Sequence, residues 1–218
     1  MITPQILILT AIQTEAKPIA CILGLARQGD VWLNREATIC LRMIGIGGRR
    51  LPAIEPSAAP KFIILAGLAG ALNPQLKVGE IVLDECPDSL KTGFSGHLGR
   101  IHSADRLATT PKAKADLFAS TGAMAVEMEA HVVRPWVSQL SSAFIHIRAI
   151  SDSASEELNP RLLRLVDEFG RVKVKVIATE LIRRPAVLPE LLHLAASGRK
   201  STGALAKAVK WMVNYIQA

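Results

Sequence analysis

The chain has 218 residues, of which 50% are hydrophobic and 21% are charged, a composition that excludes a disordered or low-complexity protein. Aromatic residues make up only 4%, which weighs against a binder of single-stranded nucleic acid, since such proteins stack bases on aromatic side chains. No apolar stretch reaches the roughly 18 residues that a membrane-spanning helix needs. We therefore predict one globular domain over residues 1–218, long enough to bury a full core.

The net charge of +7 is concentrated near the C-terminus, where residues 181–218 hold six basic residues and one acidic residue. We predict a basic helical C-terminal extension there, consistent with a solvated helix face and with a surface that meets an anionic membrane or ligand. The N-terminal residues lack the pattern of a secretory signal. Cys21, Cys40 and Cys86 form no paired motif, so we expect a protein of the reducing cytoplasm.

Apolar runs predict strands, and helical periodicity predicts helices. In chain order, the predicted elements are a strand at 5–10, a helix at 11–25, strands at 38–44, 61–65 and 78–83, a helix at 111–120, a short strand at 123–126, a helix at 127–140, a strand at 143–150, and helices at 158–169, at 174–184 and beyond 188. The alternation of strands and helices predicts an α/β fold with a largely parallel sheet.

Acidic residues follow three of the predicted strands. Glu15 comes after the first strand, Glu129 after the strand at 123–126, and Asp152 after the strand at 143–150. Ligands of such folds bind at the carboxyl ends of the strands, so one fold can bring these carboxylates together. Each acid alone is as typical of a helix cap, but the three together predict a site.

The sequence around these acids resembles the nucleoside phosphorylase and nucleosidase superfamily, which includes purine nucleoside phosphorylases and methylthioadenosine/S-adenosylhomocysteine nucleosidases. The most specific segments are AVEMEA at 125–130 and RAISD at 148–152, supported by residues 67–70 and 76–82. Residues 110–129 and the tail at 181–192 are similar to hopanoid-associated phosphorylases, which are held to release adenine from adenosylhopane. The resemblance implies a single-domain, three-layer α/β/α fold with a mixed, largely parallel sheet, and a homodimer.

The resemblance also implies roles for the residues that match its motifs. Asp152 would protonate a purine ring nitrogen as the N-glycosidic bond breaks, and Ser151 would orient it. Glu129 would accept hydrogen bonds from the ribose hydroxyls, and Met128 would pack against the sugar. Glu15 would lie near the nucleophile. Substrate contacts are also expected from the neighbouring residues of these junctions, namely Ile12, Ile46, Leu68, Ala69, Gly70, Glu127 and Ala154, although the side chain of Glu127 can equally point away.

The identity of the nucleophile stays open. The segment around Glu15 is similar to nucleosidases, which use water, but hopanoid-associated members also carry an acid there. A turn containing Gly47 and Gly48, followed by Arg49, is suited to bind phosphate through its N–H groups and a guanidinium. Solvent exposure of Arg49 is an equally good interpretation.

The segment between residues 82 and 123 is shorter than in typical nucleosidases, where it helps to close the site over the base. Residues 103–108 are expected to be what remains of this lid. An open pocket of this kind suits a purine nucleoside with a large apolar 5′ group. We therefore predict a phosphorylase that converts an adenine nucleoside and phosphate into adenine and a ribose 1-phosphate. The alternatives are a nucleosidase that acts with water on methylthioadenosine-type substrates and a non-catalytic nucleoside-binding protein. No metal or other cofactor is expected, since the histidines lack metal-ligand spacing.

The last predicted helix is amphipathic. Its apolar face carries Leu205, Val209, Met212 and Ile216. That face fits packing on the protein's own core or on a partner subunit, and it also fits an interfacial helix at a lipid surface.

Overall fold

The computed structural model describes residues 4–159 and 188–218. The strands are β1 Ile6–Thr10, β2 Ala26–Gln28, β3 Val31–Leu33, β4 Ile39–Met43, β5 Phe62–Ala71, β6 Ile81–Asp84, β7 His97–Leu98, β8 Ile101–Ser103, β9 Ala125–Glu127 and β10 Ala143–Asp152. The helices in the described ranges are α1 Gln13–Ile22, α2 Pro111–Thr121, α3 Ala130–Val137 and α4 Leu188–Gln217. The helices predicted at 158–169 and 174–184 fall almost wholly on residues outside these ranges.

The strands form one mixed sheet in the order β2-β3-β4-β1-β5-β10-β6-β7, with β9 joining β5 to β8. β1 runs parallel to β4 and β5, and β5 runs parallel to β10. β6 runs antiparallel to β10. The predicted α/β architecture with a mixed, largely parallel core is confirmed, and the carboxyl ends of β1, β5 and β10 lie at one edge of the sheet.

Side chains of β1 alternate between two buried clusters, one on each face of the sheet. Ile6 and Ile8 pack in a cluster with residues of α1 and α4. Leu7 and Leu9 pack in a second cluster with residues of α3. Because successive side chains of a strand point to opposite faces, a fully apolar strand such as β1 must be covered on both sides.

The C-terminal helix α4 is part of the core. Leu205, Val209 and Met212 are fully buried in the cluster that contains α1, and Ile216 packs against it. The prediction that this face packs on the protein's own core is confirmed, so the lipid-facing interpretation of the same face is wrong. Lys207 and Lys210 lie on the exposed side, and peripheral contact with an anionic membrane stays a prediction.

Two strands continue beyond their predicted ends. The Gly- and Ala-rich residues 66–71 extend β5, because small residues let β10 and β9 pair closely with it. β10 runs on to Asp152 through a bulge. The hairpin of β2 and β3 was missed because its strands are three residues long and β2 is exposed.

The cysteines of the chain are free thiols, with Cys40 and Cys86 buried and Cys21 exposed on α1. No helix within the described ranges has the length and hydropathy to cross a bilayer.

Candidate active site

A cavity of about 330 Å³ opens at the carboxyl ends of β1, β5 and β10. Carboxylates from four places in the sequence line it, and the rest of its wall is mainly apolar. The lining residues include Glu15, Glu127, Glu129 and Asp152 together with Ile12, Ile46, Leu68, Ala69, Gly70, Met128 and Ser151. The sheet therefore brings together the three acids that the sequence analysis singled out.

Glu15 is fixed by backbone donors at the start of α1. The N–H groups of Ala11 and Ile12 donate to its Oε2 at 3.0 and 3.1 Å, and the N–H of Leu68 donates to its Oε1 at 2.8 Å. Burial raises the pKa of Glu15 to about 7, although the nearby Arg148 guanidinium opposes this shift. A carboxylate with a pKa near neutrality is suited to accept a proton in the physiological range.

Arg148 is buried among the carboxylates, 1% exposed. Its Nη2 contacts Oε2 of Glu127 and lies 3.2 Å from Oε2 of Glu129. Gly67 makes room for it, because a Cβ at this position would collide with Nη1 of Arg148 and lie 3.0 Å from Oε1 of Glu15. Burial opposes the charged form, but these carboxylates outweigh burial and raise the pKa of Arg148 above its ordinary value.

Glu127 contacts both Arg148 and the start of α3. It accepts hydrogen bonds from the N–H groups of Glu129 and Ala130 at the start of α3, at 3.0 and 3.1 Å. Burial alone would raise the pKa of Glu127, but contact with Arg148 outweighs it and the pKa lies below its ordinary value. Nε2 of His146 accepts from Nε of Arg148 at 3.0 Å, and burial lowers the pKa of His146 well below its ordinary value. A neutral His146 therefore orients the guanidinium.

Glu129 lies between β9 and α3, where the resemblance places the ribose contact. Its Oε1 accepts from the N–H of Gly47 at 3.0 Å, and burial raises its pKa. The predicted phosphate group of residues is not assembled at the cavity, since the N–H of Gly47 is already bonded to this carboxylate. Gly48 and Arg49 are not among the residues that line the cavity, and Arg49 is exposed.

Asp152 lines the same cavity as Glu15. Ser151 donates its hydroxyl to Oδ1 of Asp152 at 2.6 Å, and its orienting role in the reaction stays a prediction. Nζ of Lys114 donates to Oδ2 at 2.6 Å. Lys114 is fully buried and Asp152 is 4% exposed, so the carboxyl group that was expected to be a proton donor is paired with a cation.

The predicted lining residues lie where the sequence analysis expected them, with one correction. Ala154 does not line the cavity, because it packs against the buried cluster that contains Ala69 and Ile150. Arg106, Leu107 and Ala108, from the predicted lid remnant, do line it. Leu158 and the N-terminal part of α4, through Leu194 and Gly198, complete the wall.

Sequence reasoning missed two charged residues of this site as individual participants. Arg148 and Lys114 were considered only as parts of the longer segments 148–152 and 110–129, without a role of their own. The signal for Arg148 was present, since His146 and Arg148 are two residues apart in an apolar strand and so share a face. A polar series on one face of a buried strand indicates a site. Nothing in the periodicity of α2 distinguished Lys114 from its exposed neighbour Lys112.

No protein-family model matches the sequence, and no curated protein matches it. Several solved structures do match this chain. Futalosine hydrolase of Helicobacter pylori superposes with a TM-score of 0.65 at 18% identity, covering 97% of this chain and 98% of the other. The H. pylori 5′-methylthioadenosine/S-adenosylhomocysteine nucleosidase superposes with a TM-score of 0.65 at 17% identity, covering 98% of this chain and 99% of the other. The Arabidopsis thaliana 5′-methylthioadenosine nucleosidase superposes with a TM-score of 0.66 at 14% identity, covering 100% of this chain and 98% of the other.

The chain has the nucleoside phosphorylase and nucleosidase fold. This likeness extends over almost the whole length of both partners in each pair, which agrees with the fold that the resemblance implied. The closer similarity to hopanoid-associated phosphorylases and the homodimer remain predictions. In the described ranges, no group of three or more His, Cys, Asp or Glu side chains is arranged to hold a metal ion.

Proposed function

We propose that this protein is a nucleosidase, which hydrolyses the N-glycosidic bond of a purine nucleoside with water as the nucleophile. The observation that carries the proposal is the placement of Glu15. Its carboxylate is buried, held by three backbone N–H groups, and lines the same cavity as Asp152. Its pKa of about 7 suits a base that takes one proton from water.

The reaction follows from these positions. Water attacks C1′ of the ribose while Glu15 accepts one of its protons. The bond between C1′ and the base breaks, and its electron pair goes to the purine, which takes up a proton on the side of Asp152. In this proposal, Glu129 accepts hydrogen bonds from the ribose hydroxyls, which fixes the sugar and favours its electron-poor transition state.

Electrostatics favour water over phosphate. Four carboxylates line the cavity, and Arg106 is the basic residue among the lining residues of the described ranges. Two like charges about 4 Å apart repel by about 4 kcal/mol at an effective dielectric constant of about 20. A phosphate dianion beside an ionised Glu15 would meet this repulsion, whereas a neutral water does not, and the buried cations Arg148 and Lys114 are already paired with Glu127, Glu129 and Asp152. The phosphorolytic reaction on adenosylhopane therefore stays a prediction without support from these contacts.

The wall of the cavity favours an apolar 5′ substituent. Leu107, Leu158 and Leu194 lie at its rim, and Leu107 is 49% exposed. The H. pylori nucleosidase of the same fold was solved with a butylthio nucleoside analogue. We therefore propose 5′-methylthioadenosine and longer 5′-alkylthio adenosines as the substrate class to test first.

The test is release of adenine from adenosine, 5′-methylthioadenosine and 5′-butylthioadenosine, each with and without phosphate. We expect release without phosphate, fastest on the alkylthio substrates, and its loss in E15Q and D152N. The matched control is E36Q, since Glu36 is an exposed glutamate far from the cavity. Tight binding of the analogues without release of adenine would instead establish a non-catalytic nucleoside-binding protein.

A further inference from the structure

Lys114 of α2 is a buried charged residue that the proposed reaction does not use. It is completely buried. Its Nζ donates to Oδ2 of Asp152 at 2.6 Å, to the carbonyl oxygen of Ser153 at 2.7 Å and to that of Glu156 at 2.9 Å. All three protons of the ammonium group are therefore hydrogen-bonded, and one of them points at a carboxylate that lines the cavity.

The same three partners also fit the neutral amine. An amine keeps two N–H bonds, which the carbonyl groups of Ser153 and Glu156 accept, and its lone pair faces Oδ2 of Asp152. A proton can thus move between Nζ and Oδ2 without leaving a buried polar atom unpaired. A lysine that only anchored the turn after β10 would not need a cavity-lining carboxylate as its third partner.

We propose that the pair of Lys114 and Asp152 holds the proton that the leaving base takes up. This inference rests on the proposed nucleosidase function. The pair starts as an ammonium group and a carboxylate. As the bond from C1′ to the base breaks, its electron pair goes to the purine, and a ring nitrogen takes up a proton by way of Asp152. Nζ of Lys114 passes its proton to Asp152 in the same step. The pair ends as a neutral amine and a carboxylate, and Glu15 holds the proton that the attacking water lost.

Proton exchange with solvent then restores the starting protonation states of Glu15 and Lys114. Glu15 releases its proton to water, and Lys114 regains one by way of Asp152. Lys114 acts through Asp152 and does not touch the substrate, so it is a positioning residue that stores a proton for the residue in front of it. An isolated carboxyl group would have to stay protonated at the working pH to do the same.

Other charged groups surround this pair. Oε1 of Glu156 lies 3.2 Å from Nε2 of His193 on α4, and its Oε2 accepts a hydrogen bond from the N–H of Ser153 at 3.3 Å. The remaining charged groups that share the cavity are Glu15 of α1, Arg106 of the preceding loop, and Glu127 and Glu129 at the end of β9. Glu127 and Glu129 contact Arg148, so Lys114 is the cation in direct contact with Asp152.

The test compares the pH dependence of adenine release in the wild type, K114M and K114R. In the wild type, we expect kcat to stay level from neutral into alkaline pH, because the proton is stored on lysine. In K114M, kcat should fall by about 100-fold or more, as for the loss of general acid catalysis, and should decline further as pH rises. K114R keeps the positive charge but does not release its proton, so it should lose turnover as K114M does.

A substrate that needs no proton separates this role from a structural one. The 4-nitrophenolate of 4-nitrophenyl β-D-ribofuranoside leaves unprotonated, so we expect both variants to cleave it at rates within about threefold of the wild type if general acid catalysis is all they have lost. The matched control is K112M, because Lys112 lies on the same helix and pairs with Asp116 at the surface. Thermal unfolding of each variant checks that it is folded, and K114R carries the test if K114M does not fold.

The outcomes separate the two claims. Near-normal adenine release by K114R, or a pH profile of K114M that matches the wild type, would overturn the proton-storage role and leave the nucleosidase function intact. Equal losses on the nucleoside and on the nitrophenyl riboside would also overturn it, since they indicate a structural role. No release of base by the wild type from any purine nucleoside would overturn the proposed function, and this inference with it.

Discussion

The backbone N–H of Gly47 donates a hydrogen bond of 3.0 Å to Oε1 of Glu129. This bond joins the turn after β4 to the start of α3. It occupies the N–H of Gly47, which was predicted to bind phosphate. A carboxylate now occupies the place where an anion would have to bind. The relationship explains why the Gly-rich turn supports Glu129 at the cavity and does not offer this N–H group to a second anion.

The first prediction concerns Arg49, which is exposed and does not line the cavity. R49A should keep adenine release within about twofold of the wild type, since surface substitutions away from a site have small effects. Added phosphate should not accelerate either protein. A rate that rises with phosphate in the wild type and loses that dependence in R49A would restore the phosphorylase interpretation.

The second prediction concerns Glu15 as the base. E15Q removes the proton acceptor while keeping the shape of the side chain, so kcat should fall by about 10²- to 10⁴-fold. In the wild type, kcat should decline as pH falls below about 7, because protonated Glu15 cannot accept a proton from water. Stopped assays across the pH range measure both effects. A wild-type profile that is flat from pH 5 to 8 would show that Glu15 is not the base.

The third prediction links the same residue to stability. The pKa of Glu15 is raised from 4.5 to about 7 in the folded protein. A carboxyl group with a raised folded-state pKa stabilises the fold below its unfolded pKa, and this contribution is lost as pH rises through the folded value. The wild type should therefore lose up to about 3 kcal/mol of unfolding free energy relative to E15Q between pH 4.5 and pH 7.

Denaturant unfolding of both proteins at several pH values checks this linkage. Other titrating groups cancel in the difference between wild type and variant, because both proteins contain them. A difference that does not change with pH, or that changes in the opposite direction, would contradict the burial of an uncharged Glu15.

The sequence predicted the sheet and the three acids well, and the reasons are physical. A short apolar run such as the one within 5–10 is typical of a strand covered on both faces, and the acids lie at or soon after the ends of such runs. The partnerships among buried charges were not predictable, because they depend on which side chains the fold places together. Lys114 and Asp152 lie 38 residues apart, and only the docking of α2 against the end of β10 brings them into contact.

The fourth prediction concerns Gly67, which leaves room for the guanidinium of Arg148. G67A should destabilise the fold by about 1–3 kcal/mol through overpacking. It should also lower kcat by about 100-fold, since a displacement of about 1 Å in a catalytic cluster has this effect. Turnover assays and thermal unfolding measure the two losses.

The matched control for Gly67 is G203A. Gly203 lies within α4 with open space around its Cβ position, so alanine should raise stability by up to about 1 kcal/mol through its better helix propensity and leave turnover unchanged. If G67A were as active and as stable as G203A, Arg148 would not occupy the space that Gly67 provides.

The sugar product identifies the nucleophile, because water leaves a free hydroxyl group at C1 of the ribose and phosphate leaves a phosphate ester. The protein should be incubated with 5′-methylthioadenosine and phosphate in water enriched in oxygen-18, and the sugar analysed by mass spectrometry. We predict free 5-methylthioribose that carries one oxygen-18 atom at C1, at a yield that equals the adenine released. Methylthioribose 1-phosphate as the product would contradict the proposed hydrolysis and would make phosphate the nucleophile.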